Sequence, residues 1–171
     1  MSKIEQTLSE FEKHLAEMLT LIDSLTEEQL NWKLFSPVGS NEYWSIRQMI
    51  AHVEEVNYFW LPQIKELIAN PSRRFGRALE EWAVRKAAVD KANERELSDM
   101  LGRIKESIPF IRQELGSITD EQMDLPITPL QEVPPGYEFT LSFLVNHVYP
   151  EHIEAHIKQM HRNLFAYTQY H

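Results

Sequence analysis

The stretch YWSIRQMIAHVEEVNYFW, residues 43–60, decides the fold because it reads as a capped amphipathic helix. Ser45 is followed three residues later by Gln48, which is the capping box that typically begins a helix. His52 lies at the edge of the apolar stripe, where a half-buried imidazole requires a polar partner. That partner is either a neighbouring side chain or a metal ion. The stripe itself recurs at helical spacing and consists of Ile46, Met49, Ile50, Val53, Val56, Trp60, Leu61 and Ile64.

The same periodicity predicts an all-α domain with four long helices. These are predicted over residues 2–22, 45–69, 93–115 and 140–165. Pro150 lies inside the fourth pattern and is expected to kink it. Residues 70–92 are long for a tight turn and indicate a crossover between the second and third helices. Residues 124–139, which hold four prolines, are predicted to be a loop that forms one wall of a binding cleft.

The two halves of the chain resemble each other. SLTEEQL at 24–30 returns as SITDEQM at 117–123, and WSIRQMIAH at 44–52 aligns with FTLSFLVNH at 139–147. This order of elements predicts two helical hairpins related by pseudo-twofold symmetry and packed as a four-helix bundle, one domain over residues 1–171. The alternative is convergent capping, because T-x-x-Q motifs are common at helix starts.

Composition excludes several kinds of site and partner. The 171 residues carry a formal net charge of −9 and include no cysteine, so disulfides and thiolate metal sites are excluded. Nucleic acid requires clustered Lys and Arg, and the short cluster of Arg73, Arg74 and Arg77 is predicted to be solvated loop charge. We therefore expect no nucleic-acid partner. No apolar run is long enough for a membrane span or a signal peptide, so we expect a cytoplasmic protein without a membrane partner.

Histidines concentrate in HVYPEHIEAHIKQMH, residues 147–161. His152 and His156 are four residues apart, which places both imidazoles on one helix face, the spacing by which a helix supplies two metal ligands. Such a pair is also common as plain surface composition. A helical wheel turns both side chains toward the core and places His147 on the solvated face.

Together with His52, this pair predicts three neutral nitrogen ligands for a catalytic type of metal site. Zn²⁺ suits such a site best, and Ni²⁺, Co²⁺ or Fe²⁺ would also fit. Glu55 and Gln159 each lie about one turn after a predicted ligand and are candidates for orienting it. Ordinary helix polarity explains both of them equally well.

Two motifs make the sequence similar to a known family. WSIRQMIAHVEEVN resembles the W-S-x₆-H opening of the second helix in the DinB/YfiT-like superfamily, and HIEAHIKQM resembles the H-x-x-H-H-x-x-Q-I pattern of its last helix. The resemblance implies an up-down-down-up four-helix bundle, often dimeric, with a divalent metal held by His52, His152 and His156. Ala155 departs from the pattern, since the family usually has another His there.

The resemblance also implies a chemistry. Family members include metal-dependent transferases that use low-molecular-weight thiols such as bacillithiol or mycothiol. A thiolate cosubstrate would then attack a small electrophile, and Glu55 is the predicted residue for orienting a ligand or accepting the thiol proton. Two alternatives stay open. They are metal-dependent hydrolysis of a small amide or ester, and a non-catalytic bundle whose metal site is vestigial or structural.

Aromatic residues on the second helix suggest self-association. Tyr58, Phe59 and Trp60 are consecutive, and one bundle does not easily bury all three. We expect part of this surface to pack in a homodimer.

Overall fold

Four long helices dominate the computed structural model, which describes residues 1–34, 43–134 and 136–171. The long helices are α1 Lys3–Asp23, α3 Ile46–Ala69, α5 Leu97–Leu115 and α8 His152–Tyr170. The shorter helices are α2 Glu27–Asn31, α4 Leu79–Asp90, α6 Asp120–Met123 and α7 Leu141–Asn146. A 3₁₀ turn spans Ala92–Glu94, and a π-helical turn spans His147–Glu151. The strands are β1 Arg74–Phe75, β2 Pro126–Pro129 and β3 Phe139–Thr140.

Side-chain contacts show that α3 and α5 run in the same direction. Glu54 pairs with Arg103. About three helical turns further along, Lys65 pairs with Glu114, so residue numbers rise together on the two helices. Parallel neighbours require a long connection between the end of one and the start of the next. The predicted crossover through residues 70–92 supplies it.

The first and last bundle helices are also parallel. Thr7 donates a hydrogen bond to the Asn146 side chain at 2.8 Å, and the ring of His14 donates to the carbonyl of Pro150 at 3.0 Å. Both pairs again rise together along the chain. The N-terminal helix therefore runs alongside the composite helix formed by α7, the π turn and α8.

Helices α3 and α8 are antiparallel. The side chain of Asn163, late in α8, donates to the carbonyl of Trp44 just before α3, at 2.9 Å. His152, at the start of α8, lies against His52, further along α3. The four long helices therefore form the up-down-down-up bundle that the family resemblance implied.

The predicted repeat is visible in the two short helices that follow α1 and α5. In α2 the caps are Thr26 and Gln29, and in α6 they are Thr119 and Gln122, with both halves of each capping box formed. The Gln side chain accepts from the Thr backbone N–H at 2.9 Å in both boxes. Equivalent sequence segments thus begin equivalent helices in the two halves of the bundle.

The core is built from the predicted apolar faces of the long helices. From α1 it takes Ile4, Leu8, Phe11, Leu15, Met18 and Ile22, all buried. The α3 stripe is buried except for Trp60, which is only half-buried and faces a cavity described below. Among the described residues, no helix is long and apolar enough to cross a membrane.

Two segments differ from the sequence expectation. The crossover contains the helix α4, which the sequence analysis missed because Val89 is the residue that this helix buries and its pattern is hardly amphipathic. The predicted loop at 124–139 contains β2 and β3. β2 pairs in parallel with β1 and antiparallel with β3. Strands this short depend on partners distant in sequence, so local pattern does not reveal them. Pro135 lies outside the described residues.

Pro150 lies in the π-helical turn, where the sequence predicted a kink. Proline has no N–H and its ring clashes with the carbonyl four residues earlier, so a wider turn accommodates it. Each residue of a π turn advances by a smaller angle about the helix axis than in an α-helix. The segment before Pro150 is therefore rotated relative to α8, which changes the direction in which His147 points.

The aromatic residues that motivated the homodimer prediction are each half-buried within the chain. The Tyr58 hydroxyl donates to the carbonyl of Arg103 at 3.0 Å, and the guanidinium of Arg77 lies 3.8 Å from the centre of the Phe59 ring. Trp60 packs edge-on against Phe59. These contacts remove part of the reason for the homodimer, which stays a prediction.

A buried hydrogen bond between α3 and α5 offers a test of this packing. Asn57 and Ser107 are fully buried, and the Asn57 amide donates to the Ser107 hydroxyl at 2.8 Å. We expect Asn57→Ala to lower the free energy of unfolding by about 1–3 kcal/mol, measured by urea denaturation. Asn31→Ala, which removes an exposed hydrogen-bonded amide from α2, is the control and should change it by less than about 0.5 kcal/mol. Equal effects would contradict the packing.

Candidate metal centre

Three imidazoles converge between α3, which carries His52, and α8, which carries His152 and His156. Nε2 of His152 lies 3.1 Å from Nε2 of His52 and 3.1 Å from Nε2 of His156. One nitrogen from each ring lies within 4.8 Å of the others, and this is a cluster of the size that holds one metal ion. Tetrahedral zinc with bonds of about 2.0–2.1 Å requires nitrogens about 3.3 Å apart, so the spacing fits.

Burial keeps all three rings neutral. His52 and His156 are each 5 % exposed. Loss of solvation is the largest cause that lowers the pKa of each ring, and it lowers the pKa of His156 to about 4. The neighbouring imidazoles lower the pKa of His52 and His152 further. Neutral imidazole is the form that binds a metal, so the rings are in their ligating state at neutral pH.

Hydrogen bonding fixes the orientation of one ring. Nδ1 of His156 lies 2.9 Å from Oε1 of Gln159, an acceptor, so Nδ1 carries the proton and the lone pair of Nε2 points into the cluster. Nδ1 of His52 and of His152 have no hydrogen-bond partner among the described residues. If both carry the proton there, three lone pairs point at one place, and a cation relieves that repulsion.

An aromatic side chain from the start of α3 holds two of the rings. Trp44 packs edge-on against His52, with ring centres 4.9 Å apart, and lies parallel to His156 at 6.2 Å. The hydrogen bond from Asn163 to the Trp44 carbonyl ties this residue to α8. Trp44 therefore fixes the distance between the helix that carries one imidazole and the helix that carries two.

Glu55 lies behind His52 and not beside the converging nitrogens. Its carboxylate is 3.8 Å from Nδ1 of His52, the nitrogen on the far side of the ring from Nε2. The guanidinium of Arg77 binds both carboxylate oxygens, at 2.8 and 2.7 Å. Arg77 is 7 % exposed, so the expectation of solvated loop charge is wrong for this residue. Its carboxylate partner lies on α3, which sequence spacing alone does not reveal.

A glycine and a glutamine place Arg77. The Gln63 side chain on α3 accepts a hydrogen bond from the backbone N–H of Gly76 at 3.0 Å and donates one to the Gly76 carbonyl at 3.1 Å. Gly76 has φ +135°, a conformation that favours glycine. A Cβ at this position would also lie 3.3 Å from the Gln131 side chain. The two hydrogen bonds and the positive φ of Gly76 direct the chain so that the next residue, Arg77, reaches Glu55.

A cavity of about 150 Å³, which we call the chamber, opens beside the histidines. It is lined by His52, Val56, Trp60, Arg77, Arg85, His147, Val148 and His152. A larger apolar cavity of about 320 Å³, which we call the groove, shares Trp60, Arg77, His147 and Val148 with it. Pro129, Gln131, Val133 and Phe139, from the segment that the sequence predicted as a cleft wall, contribute to the groove lining. Arg85 and Trp82 come from α4, the helix that the sequence analysis missed.

His147 also lines the chamber, although the helical wheel placed it on the solvated face. Its side chain is 64 % exposed and its Nδ1 lies 3.5 Å from a carboxylate oxygen of Glu151. The ring therefore stands at the mouth, accessible from solvent and from the chamber. The wheel assumed α-helical rotation through Pro150, and the π turn is the local feature that rotates His147 toward the cavity.

Comparison with known proteins identifies the family. A family model described as the DinB superfamily matches residues 10–160. The chain belongs to the DinB superfamily. No curated protein gives a significant sequence match.

Solved structures support the DinB fold. YfiT from Bacillus subtilis has a TM-score of 0.71 at 16% identity, covering 94% of this chain and 87% of that one, and is described as a probable metal-dependent hydrolase with an unusual four-helix bundle topology. A protein from Streptococcus pneumoniae has a TM-score of 0.67 at 12% identity, with 95% and 90% covered. The colibactin self-resistance protein ClbS, solved with double-stranded DNA, has a TM-score of 0.65 at 11% identity, with 94% of each chain covered.

These likenesses are too distant to transfer an activity or a ligand. At such identities they establish that this DinB-superfamily chain has the four-helix fold. Because ClbS was solved with DNA, the expectation that this chain has no nucleic-acid partner stays a prediction.

The convergence of the rings predicts which variants lose metal. We expect one equivalent of zinc per chain, and His52→Ala, His152→Ala and His156→Ala should each weaken zinc binding by more than about 100-fold in a competition assay with a chromogenic chelator. His161→Ala, which removes an exposed imidazole from the same α8 helix, is the matched control. Glu55→Gln should weaken zinc binding by about 10–100-fold if this carboxylate positions His52. Zinc binding that survives two of the three histidine variants would contradict the site.

The lowered pKa values predict a pH dependence of stability for the metal-free protein. Between about pH 6.5 and about pH 4 the unfolded chain binds protons that the buried rings do not, so stability should fall as the pH falls through this window. His156→Gln removes one such ring and should flatten the slope by at most about 1.4 kcal/mol per pH unit. Thermal melts in chelator measure it, with His161→Gln as the control. An unchanged slope for His156→Gln would show that this ring is protonated in the folded state.

Proposed function

We propose that this protein is a divalent-metal-dependent enzyme that transfers a low-molecular-weight thiol to a small electrophile, with His52, His152 and His156 as the metal ligands. The observation that carries the proposal is the convergence of three neutral imidazoles, two buried and one half-buried, of which His52 and His152 line an open chamber. Three nitrogen ligands with room for an exchangeable fourth are typical of catalytic sites. Zn²⁺ fits them best, and Ni²⁺, Co²⁺ and Fe²⁺ are the alternatives.

The open side of the cluster supports catalysis over a purely structural site. Among the described residues, the cluster contains three possible ligands, whereas structural zinc sites are closed by four. The chamber is not filled by side chains and shares four lining residues with the groove. A cosubstrate therefore has room beside the imidazoles.

The polar groups of the chamber favour a thiol over water as the nucleophile. A divalent ion held by these imidazoles would supply Lewis acidity, which lowers the pKa of a coordinated thiol enough for its proton to pass to solvent. Among the described residues, no carboxylate lines the chamber, and Glu55 is engaged by Arg77 behind His52. The guanidinium groups of Arg77 and Arg85 line it instead, and their positive charge favours an anionic sulfur. We propose Glu55 as the residue that orients His52.

Metal-dependent hydrolysis is the second candidate, and His147 is the observation that favours it. This imidazole stands at the chamber mouth with Glu151 at its Nδ1, an arrangement suited to accepting a proton from water. The description of YfiT as a probable metal-dependent hydrolase agrees with this candidate. Hydrolysis would therefore use His147 as a base, whereas thiol transfer would not require it.

Turnover assays distinguish the candidates. Zinc-loaded protein is incubated with bacillithiol, mycothiol or another small thiol and an aryl halide, which loses halide and forms a coloured thioether. In parallel it is incubated with a nitrophenyl ester without thiol. We expect conjugation that depends on thiol and zinc and is lost in His152→Ala. His147→Ala should retain most of it, because the thiol needs no base from the chain.

The opposite pattern would support hydrolysis. Ester cleavage without thiol that is lost in both His152→Ala and His147→Ala would replace thiol transfer with the second candidate. Zinc bound at full occupancy with neither reaction, across the thiol panel, would favour a structural site. His161→Ala is the matched control in every assay.

A further inference from the structure

The groove beside the chamber is lined largely by aromatic side chains that the proposed reaction does not use. Phe75 on β1 and Phe139 on β3 meet edge-on with ring centres 6.0 Å apart, and Phe143 packs against Phe139 at 5.0 Å. The ring of His147 then lies parallel to Phe143 at 5.6 Å. This series of rings leads from the small sheet to the chamber mouth.

The lining also includes Trp60, Trp82 and Arg77. The Arg77 guanidinium lies 5.9 Å from the ring centre of Trp60 and 5.8 Å from that of Trp82. Aromatic rings from five residues other than histidine therefore line the groove. Among the described residues its lining includes no carboxylate, and its charged members are Arg77 and, when protonated, His147.

Two of these rings are exposed. Phe143 and Trp82 are each 45 % exposed. Contiguous exposed aromatic surface in a concave site is typical of ligand-binding grooves. The groove adjoins the chamber and shares four lining residues with it, so a molecule held in the groove lies next to the cavity that reaches His52 and His152.

We propose that the groove binds the aromatic body of the electrophile, and that the substrates of this site are small uncharged or anionic aromatic molecules. The inference rests on the proposed function, since the electrophile is the substrate of the same site. A flat ring in this groove gains stacking contacts with the aromatic lining and leaves water. A cationic substrate would find no carboxylate to pair with in the groove lining, and the nearby acid Glu55 is already bound by Arg77, which disfavours binding.

Binding of unreactive ring probes tests the proposal without any turnover. Dissociation constants are measured by NMR titration for naphthylmethanol, naphthoate and naphthylmethylamine, with acetate as the probe that lacks a ring. We expect the neutral and anionic ring probes to bind about tenfold or more tightly than the amine or acetate. Naphthylmethanol should bind within about twofold to zinc-loaded and chelator-treated protein.

Variants of side chains with similar exposure, inside and outside the groove, test where the ring probe binds. Phe143→Ala and Val133→Asp change the groove and should weaken naphthylmethanol binding by about three- to tenfold. Phe110→Ala and Leu130→Asp are the controls, because these side chains have nearly the same exposure but lie outside the groove lining. The controls should bind within about twofold of the unmodified chain.

Failure of this proposal is distinguishable from failure of the proposed function. Ring binding in chelator-treated protein supports the groove even if no thiol transfer is found. Acetate or the amine binding as tightly as naphthylmethanol, or equal losses in Phe143→Ala and Phe110→Ala, would overturn the proposal even if the metal chemistry holds. Absent ring binding with a concentration-dependent dimer would also overturn it, since a second copy would then cover the groove.

Discussion

The rest of the structure depends on the antiparallel contact between α3 and α8, which brings one buried imidazole against two others. Removing three polar rings from water is unfavourable unless something satisfies them, and two of their Nδ1 atoms have no hydrogen-bond partner among the described residues. The helices do not separate because each also buries a long apolar face in the common core. Hydrophobic packing thus holds together a polar cluster that would not assemble by itself, and the cluster has a size that could hold one metal ion.

Several irregular features hold the three imidazoles in position relative to one another. The π turn accommodates Pro150 at the point where α8 begins, and its free carbonyl is taken up by His14 of α1. Trp44 and Asn163 link the start of α3 to the later part of α8. Arg77 holds Glu55 behind His52, and Gln63 holds the backbone that carries Arg77. Each device joins segments that are distant in the sequence, which explains why substitutions well outside the histidines should change the site.

The sequence predicted the features that depend on residues close to one another along the chain. Helical spacing of apolar residues located the four long helices, the T-x-x-Q motifs at Thr26 and Thr119 indicated matching helix starts, and i, i+4 spacing placed His152 and His156 on one inward face. The sequence could not predict that Arg77 is buried, because its partner lies on another helix. The helical wheel placed His147 on the solvated face, where its side chain is largely exposed, but it did not reveal that the ring also lines the chamber, because a wheel assumes one constant rotation and the π turn breaks it. The helix α4 was not predicted because it buries so little apolar surface.

This division has a consequence for how the site works. The imidazoles lie on long helices fixed by the core, whereas part of the lining of the chamber and groove comes from shorter segments. These are Arg77, α4 with Trp82 and Arg85, and the strand region with Phe75, Pro129 and Phe139. Changes in those segments would alter the shape and charge of the cavities without moving His52, His152 or His156. The spacing of the ring nitrogens and the shape of the space beside them are therefore set in part by different segments of the same bundle.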